Sequence, residues 1–309
     1  MTGGLIRRRR FLFVLLVLAG CLLLAGLGWW IGREAGRTEP VARPALWHLA
    51  RDGREAYVFG TLHAVPQGAR WLGPPVRQAI GRSDRLVLEV TGLETERRTR
   101  ATFLRLARAP GLPPVSARLD PAEAALLAPL VARDPEGLGD LDHYRSWGAA
   151  LLINASAASG LALSTEAAPE RQLSRAFAAA GKPVSGLETI EGQLGLFDKL
   201  SEADQRQLLA QSVREAGAAR TQYGQLYAAW SRGDLARLEQ QFLAPLSAAP
   251  ALRAALLVDR NARWADLLDR QLAATPGIAF VAVGAGHLVG PGNLLADLAA
   301  RGWQVGRLQ

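Results

Sequence analysis

One cysteine, Cys21, is all that this 309-residue chain contains. A disulfide scaffold is therefore excluded, and no thiol nucleophile exists beyond residue 21. Histidine is scarce too, so imidazole chemistry is confined to His48, His63, His143 and His287. Lysine is nearly absent, and arginine carries 34 of the 36 basic residues. No long low-complexity segment interrupts the chain. No dense basic stripe interleaved with aromatics occurs either, which argues against nucleic acid as a partner despite a formal charge of +8. Six of the arginines fall within residues 1–37 beside one glutamate, and the remainder is close to balanced at 30 basic against 27 acidic residues.

What is present is globular in composition, 49% hydrophobic and 21% charged, with ample length for one large core. The N-terminus differs in kind. Arg7, Arg8, Arg9 and Arg10 precede an uncharged run from Phe11 to Ile31. At helical rise that run spans about 30 Å, enough for a hydrocarbon core. Trp29 and Trp30 close it where amphipathic rings favour the membrane interface. The basic block stays cytoplasmic, so residues 1–31 are expected to be a signal-anchor or transmembrane segment. The single-pass protein then holds its C-terminal part in the periplasm or otherwise outside the cytoplasm. Leu18-Ala19-Gly20-Cys21 resembles a lipoprotein box. A diacylated Cys21 is thus the alternative to a membrane helix, although the apolar run continues past it. Residues 32–44 read as a polar, proline-containing linker, and residues 45–309 as the folded domain.

Within that domain, Asp52-Gly53 between two short apolar runs signals a hairpin. Val76–Ser83 reads as a helix, and Leu86-Val87-Leu88 as a buried strand ending in Glu89. From about 94 to 275 the pattern is mostly helical, interrupted by a short strand near 184–188. Asp120-Pro121-Ala122-Glu123 and Ser201-Glu202-Ala203-Asp204 are helix starts, and Gly233-Asp234 breaks a helical run. Ile278–Val283 is a strand, Leu294–Arg301 a helix and Trp303–Val305 a last strand. The expected class is α/β, a central mostly parallel sheet with a large α-helical insertion.

Two distant segments share the pattern Gly-x-x-His-x-Val-x-x-Gly: Gly60-Thr61-Leu62-His63 onward and Gly284-Ala285-Gly286-His287 onward. Each begins where an apolar strand should end, which suggests two related halves whose strand ends converge. Residues just past the carboxyl ends of strands line the ligand crevice of open α/β sheets. A histidine there serves as general base or metal ligand, and Glu89 ends another strand. The bland alternative is that both histidines simply cap strand ends. Glu188 is a further pocket candidate, with a helix-start role as its alternative. Arg260 and Asn261 suit an anionic or carbonyl group, or else an interhelical salt bridge. His48 and His143 read as structural or exposed.

Taken together, Phe59-Gly60-Thr61-Leu62-His63, Leu88-Glu89-Val90, Gly181-Lys182-Pro183-Val184, Gly186-Leu187-Glu188-Thr189, Asp259-Arg260-Asn261 with Trp264, and Val283-Gly284-Ala285-Gly286-His287-Leu288 resemble the TraB/GumN family, which includes the TIKI proteins. The resemblance covers Leu46 to Leu308. It implies a fold similar to erythromycin-esterase-like and ChaN-like proteins. It also implies a metal-dependent, membrane-tethered hydrolase, peptidase-like, with His63, Glu89 and His287 as catalytic and metal-holding residues. The metal would be manganese, cobalt or zinc. Gly60, Gly284, Glu188, Arg260 and Asn261 would contact a peptide or small-molecule substrate. One departure stands out. Many relatives carry Gly-hydrophobic-Asp ahead of the helix leading to Gly-Lys-Pro, whereas this chain reads Ala168-Pro169-Glu170, a longer carboxylate. A non-catalytic module for haem or another small ligand, and an accessory role in envelope polysaccharide assembly, are the competing functions.

Overall fold

The computed structural model describes residues 41–91, 96–247 and 249–309. Its strands are β1 (Leu46–Arg51), β2 (Arg54–Thr61), β3 (Val65–Pro66), β4 (Arg85–Thr91), β5 (Leu163–Ser164), β6 (Val184–Thr189), β7 (Ala279–Gly284) and β8 (Gln304–Arg307). The helices of seven or more residues are α1 (Pro74–Arg82), α2 (Glu96–Ala107), α3 (Pro121–Arg133), α4 (Ser146–Ser159), α5 (Pro169–Ala179), α6 (Ile190–Asp198), α7 (Glu202–Glu215), α8 (Ala219–Arg232), α9 (Leu235–Leu243), α10 (Asp259–Ala274) and α11 (Leu294–Ala300). The chain is thus mixed α/β. The expected membrane span at 11–31 lies outside the described residues. Among those residues, no helix is long and apolar enough to cross a membrane.

One six-stranded sheet, in the order β6-β4-β7-β2-β1-β8, organises the molecule. Its first four strands run parallel, and β1 is antiparallel to both of its neighbours. A two-stranded ladder of β3 and β5 stands apart. The β1–β2 hairpin turns through Asp52 (φ 49°) and Gly53 (φ 73°), the paired positive φ angles of a tight two-residue loop. That is why Asp-Gly marks the place in the sequence.

The parallel strands read as unbroken apolar runs because both faces are covered. Alternate residues point to opposite sides. Tyr57, Phe59, Leu86, Leu88, Phe280 and Ala282 join one core cluster. Ala56, Val58, Val87, Ala279, Val281 and Val283 join the other, against Trp264 and Leu268 of α10. A third core is helical. Trp147, Leu208, Phe103 and Leu194 fill the space between α2, α4, α6 and α7.

Local signals set the helix ends. Asp120 forms a full capping box with Glu123, and Ser201 caps α7 through the Asp204 amide. Gly233 closes α8 in the left-handed region, and Asp234, the next residue, caps α9. The α8–α9 hairpin then folds over the sheet's carboxyl end. Trp230 donates to the Gly60 carbonyl at 2.9 Å, and Tyr223 donates to the Ala64 carbonyl at 2.7 Å. Phe242 of α9 lies against Gly286.

Candidate active site

The parallel register decides which residues meet. Thr61, the last residue of β2, pairs with Gly284, the last residue of β7, and β4 flanks β7 on its other side. His63 and His287 therefore leave adjacent strands at one end of the sheet, with Glu89 beside them on β4. A side-chain carbon built on Gly284 would lie 3.3 Å from Glu89 Oε2, 3.7 Å from His63 Nε2 and 3.7 Å from His287 Cδ2. All three groups are buried, at 5%, 2% and 1% exposure for His63, Glu89 and His287.

His63 faces a carboxylate. Its Nδ1 is 2.8 Å from Glu170 Oε1, a residue at the start of α5. At that distance Glu170 can hold the Nδ1 proton of a neutral ring or face the charge of a protonated one. Burial is the largest single influence and pulls the imidazole pKa down, but Glu170 and Glu89 together outweigh it and the net direction is up. The other nitrogen, Nε2, is buried and has no hydrogen-bond partner among the described residues. Thr61 Oγ1 is buried and unpartnered as well.

Arg260 lies at the centre of the remaining polar groups. It opens α10 just after a π-helical turn, Ala254–Val258, an irregularity that recurs at functional sites. Its Nη2 donates to Glu89 Oε1 at 2.6 Å and to Glu188 Oε2 at 2.9 Å, and its Nε reaches both Glu188 oxygens at 3.2 Å. Its Nη1 donates to the Leu256 carbonyl at 3.1 Å and lies 3.2 Å from His287 Nε2. All five guanidinium N–H groups are thereby committed within the protein. Trp264 covers the guanidinium face at 4.5 Å and stacks obliquely on His287, with ring centroids 4.3 Å apart.

Glu89 accepts three further or shared donors: Arg260, Gln193 Nε2 at 2.7 Å, and the Gly284 amide at 3.1 Å. Burial alone would raise its pKa; Arg260 and the two histidines lower it to about 2. Asn261 fixes the tautomer of His287. Its Nδ2 donates to the Gly292 carbonyl at 2.7 Å, so its Oδ1 accepts, at 2.7 Å, from a protonated His287 Nδ1. His287 Nε2 is then the acceptor facing Arg260. Burial and the Arg260 charge depress the His287 pKa to about 3. It is a neutral, immobilised imidazole.

These contacts bear on the expected divalent ion at His63, Glu89 and His287. Of the three, only His63 presents an uncommitted nitrogen. His287 Nε2 faces a guanidinium, and no cluster of three or more His, Cys, Asp or Glu with metal-holding geometry occurs among the described residues. As arranged, the three residues do not fit a resident three-ligand metal, because the Arg260 guanidinium occupies the facing atoms of Glu89 and His287.

The other expected site residues divide. Glu188, at 12% side-chain exposure, binds Arg260, and Asn261 binds His287, so both serve the network directly. Gly60 is closely packed, its missing side chain replaced by Leu288 and Ala285 at 3.3 and 3.4 Å. Gly284 faces the site itself. His48 sits half-buried on the hairpin near Glu55, and His143 is exposed beside Asp140. Gln193 and Thr61 were not singled out from the sequence. Glu170 was noted only as a departure, and its place at the first turn of α5 gave no hint of the histidine across from it.

A family model described as the TraB/PrgY/gumN family matches residues 45–307. Neither the curated proteins nor the solved structures contain a match to the chain.

Proposed function

The chain belongs to the TraB/PrgY/gumN family, and from that premise we propose a membrane-anchored, extracytoplasmic hydrolase of peptide or amide bonds with His63 as its working base. The observation that carries the reading is the His63–Glu170 pair, one imidazole nitrogen held by a carboxylate and the other buried and bare beside Gly284. In this scheme His63 Nε2 takes a proton from water as the water oxygen bonds to the carbonyl carbon. Glu170 stabilises the imidazolium that forms. The proton then passes to the leaving nitrogen as the carbon–nitrogen bond breaks. Thr61, paired with Gly284, offers an uncommitted hydroxyl to the developing oxyanion. Glu89, His287, Arg260, Glu188 and Asn261 form the fixed polar floor on which these groups are held.

Two experiments test the proposal. A peptide-library cleavage assay should detect turnover that His63→Ala abolishes while the melting transition persists; undiminished cleavage by that variant defeats the hydrolase reading. Anchoring rests on Phe11–Ile31 behind Arg7–Arg10, and alkaline extraction of membranes should leave the protein in the pellet. Full release into the supernatant defeats it. An intact Met1 in the mature protein, read by mass spectrometry, excludes lipidation at Cys21.

The bare His63 Nε2 also favours a second, metal-assisted reading, since carboxylates orient metal-bound imidazoles in this way. It requires Arg260 to release His287. Stoichiometric manganese, cobalt or zinc in protein purified without chelator, lost in His63→Ala, would support it; active protein free of metal would remove it.

A further inference from the structure

Four segments meet where the described chain begins. The Ala42 amide donates to the Arg70 carbonyl, the Arg43 amide to the Ser231 carbonyl and the Leu46 amide to the Gln309 carbonyl. Gln309 Nε2 donates to the Pro44 carbonyl, and Arg307 donates to the Gly233 carbonyl. These segments, residues 41–47, 67–78, 229–233 and 303–309, contain five arginines and no aspartate or glutamate. All five, Arg43, Arg70, Arg77, Arg232 and Arg307, are exposed. None forms an ion pair with an aspartate or glutamate among the described residues; Arg77 donates to the Leu72 carbonyl, and Arg307 to the Gly233 carbonyl and the main-chain oxygen of Gln309. The carboxylate next in sequence, Asp234, is spent on capping α9. Leu308, 51% exposed, sits within this collar.

We infer that this arginine collar docks on the anionic lipid headgroups of the bilayer that holds Phe11–Ile31. The inference rests on the anchoring part of the proposed function. Nine residues, 32–40, separate the apolar run from the collar, a reach of about 30 Å at most when extended. An arginine-rich patch held so near a membrane falls under the surface potential of an anionic leaflet, which attracts each arginine by a factor of roughly five. Among the described residues, no aspartate or glutamate side chain is ion-paired to the five arginines, and the Asp269 carboxylate that reaches the collar segments is taken up by Trp303 Nε1 and Arg51. The collar also lies at the sheet end that carries the candidate site, since Leu46 pairs with Phe59, one residue before Gly60. Docking would present the α8–α9 side of the site at the membrane surface, so that substrates are met there.

The full chain in lipid nanodiscs tests this by hydrogen exchange. Retention in discs of phosphatidylcholine alone reads the anchor. The difference on adding about a third phosphatidylglycerol reads the collar. Segments 67–78 and 303–309 should exchange at least fivefold more slowly in the anionic discs, and 0.5 M salt should erase the difference, while α3 stays unchanged. The triple variant R43Q/R70Q/R232Q removes three guanidiniums that make no side-chain hydrogen bond, and it should lose most of the effect. Equal exchange in the two discs overturns the collar while leaving the anchor standing. A chain retained by neither disc overturns both.

Discussion

Nδ1 of His63 lies 2.8 Å from the carboxylate of Glu170, which together with Glu89 raises the imidazole pKa against the burial that would otherwise lower it. Glu170→Gln keeps the length and removes the charge. Turnover should fall by about one to two orders of magnitude, the usual cost of losing a group that orients an imidazole. The acidic limb of the activity profile against pH reports the pKa of the essential base. With the carboxylate gone it should move to lower pH. A profile that keeps its shape and position would show that Glu170 does not act through His63.

Local signals in the sequence carried much of the fold. Asp52-Gly53 needs two positive φ angles, Asp120 and Glu123 cap one another, and Gly233 ends a helix in the left-handed region; each is decided within a few residues. The two Gly-x-x-His strand ends were legible for the same reason, and the parallel pairing of β2 with β7 places them side by side. The partners of Arg260 were not legible. Its contacts to Glu89, Glu188 and His287 join α10 to β4, β6 and the turn after β7, so they exist only once the sheet has assembled. The Glu170 contact was hidden likewise, because a carboxylate in the first turn of a helix has an ordinary electrostatic explanation.

The fate of His287 on acidification follows from its depressed pKa of about 3. Between that value and the ordinary 6.5 of an unfolded histidine, the unfolded chain binds the extra proton. Its contribution to stability is therefore complete above pH 6.5 and declines as pH falls toward 3, with a slope of up to about 1.4 kcal/mol per pH unit. His63, shifted the other way, contributes stability that is complete below 6.5 and is lost as pH rises through its elevated value. Denaturant titrations from pH 8 to pH 4 should show acid destabilisation that His287→Gln flattens. An unchanged slope in that variant would mean that His287 already titrates normally.

Arg260 balances two carboxylates, the buried Glu89 at 2% and the partly buried Glu188 at 12% side-chain exposure. Removing one partner of such a set leaves uncompensated charge, which costs about 3–5 kcal/mol. Arg260→Ala should lose about that much by urea unfolding. Arg260→Lys should rescue little of it, because a single ammonium cannot reproduce the forked contacts to Glu188 together with those to Glu89, Leu256 and His287. A lysine variant as stable as the parent would show that only the charge matters.

Two glycines of the second motif separate occupancy of the site from stability. Gly284 has φ −52°, which alanine adopts without strain, so only space decides the outcome of Gly284→Ala. The new methyl would stand 3.3 Å from Glu89 Oε2 and 3.7 Å from His63 Nε2, against the nitrogen that the proposed scheme turns toward water. Gly286→Ala instead meets the Phe242 ring at 3.0 Å, on the side where α9 packs. Crowding a packed ring typically costs about 1–3 kcal/mol. Gly284→Ala should therefore retain most of the parent's melting temperature and lose most of its cleavage activity, whereas Gly286→Ala should melt lower and keep activity at temperatures where it is folded. Measuring both variants by calorimetry and in the peptide assay decides the matter. Full activity in Gly284→Ala would place the chemistry away from the gap between His63 and Glu89.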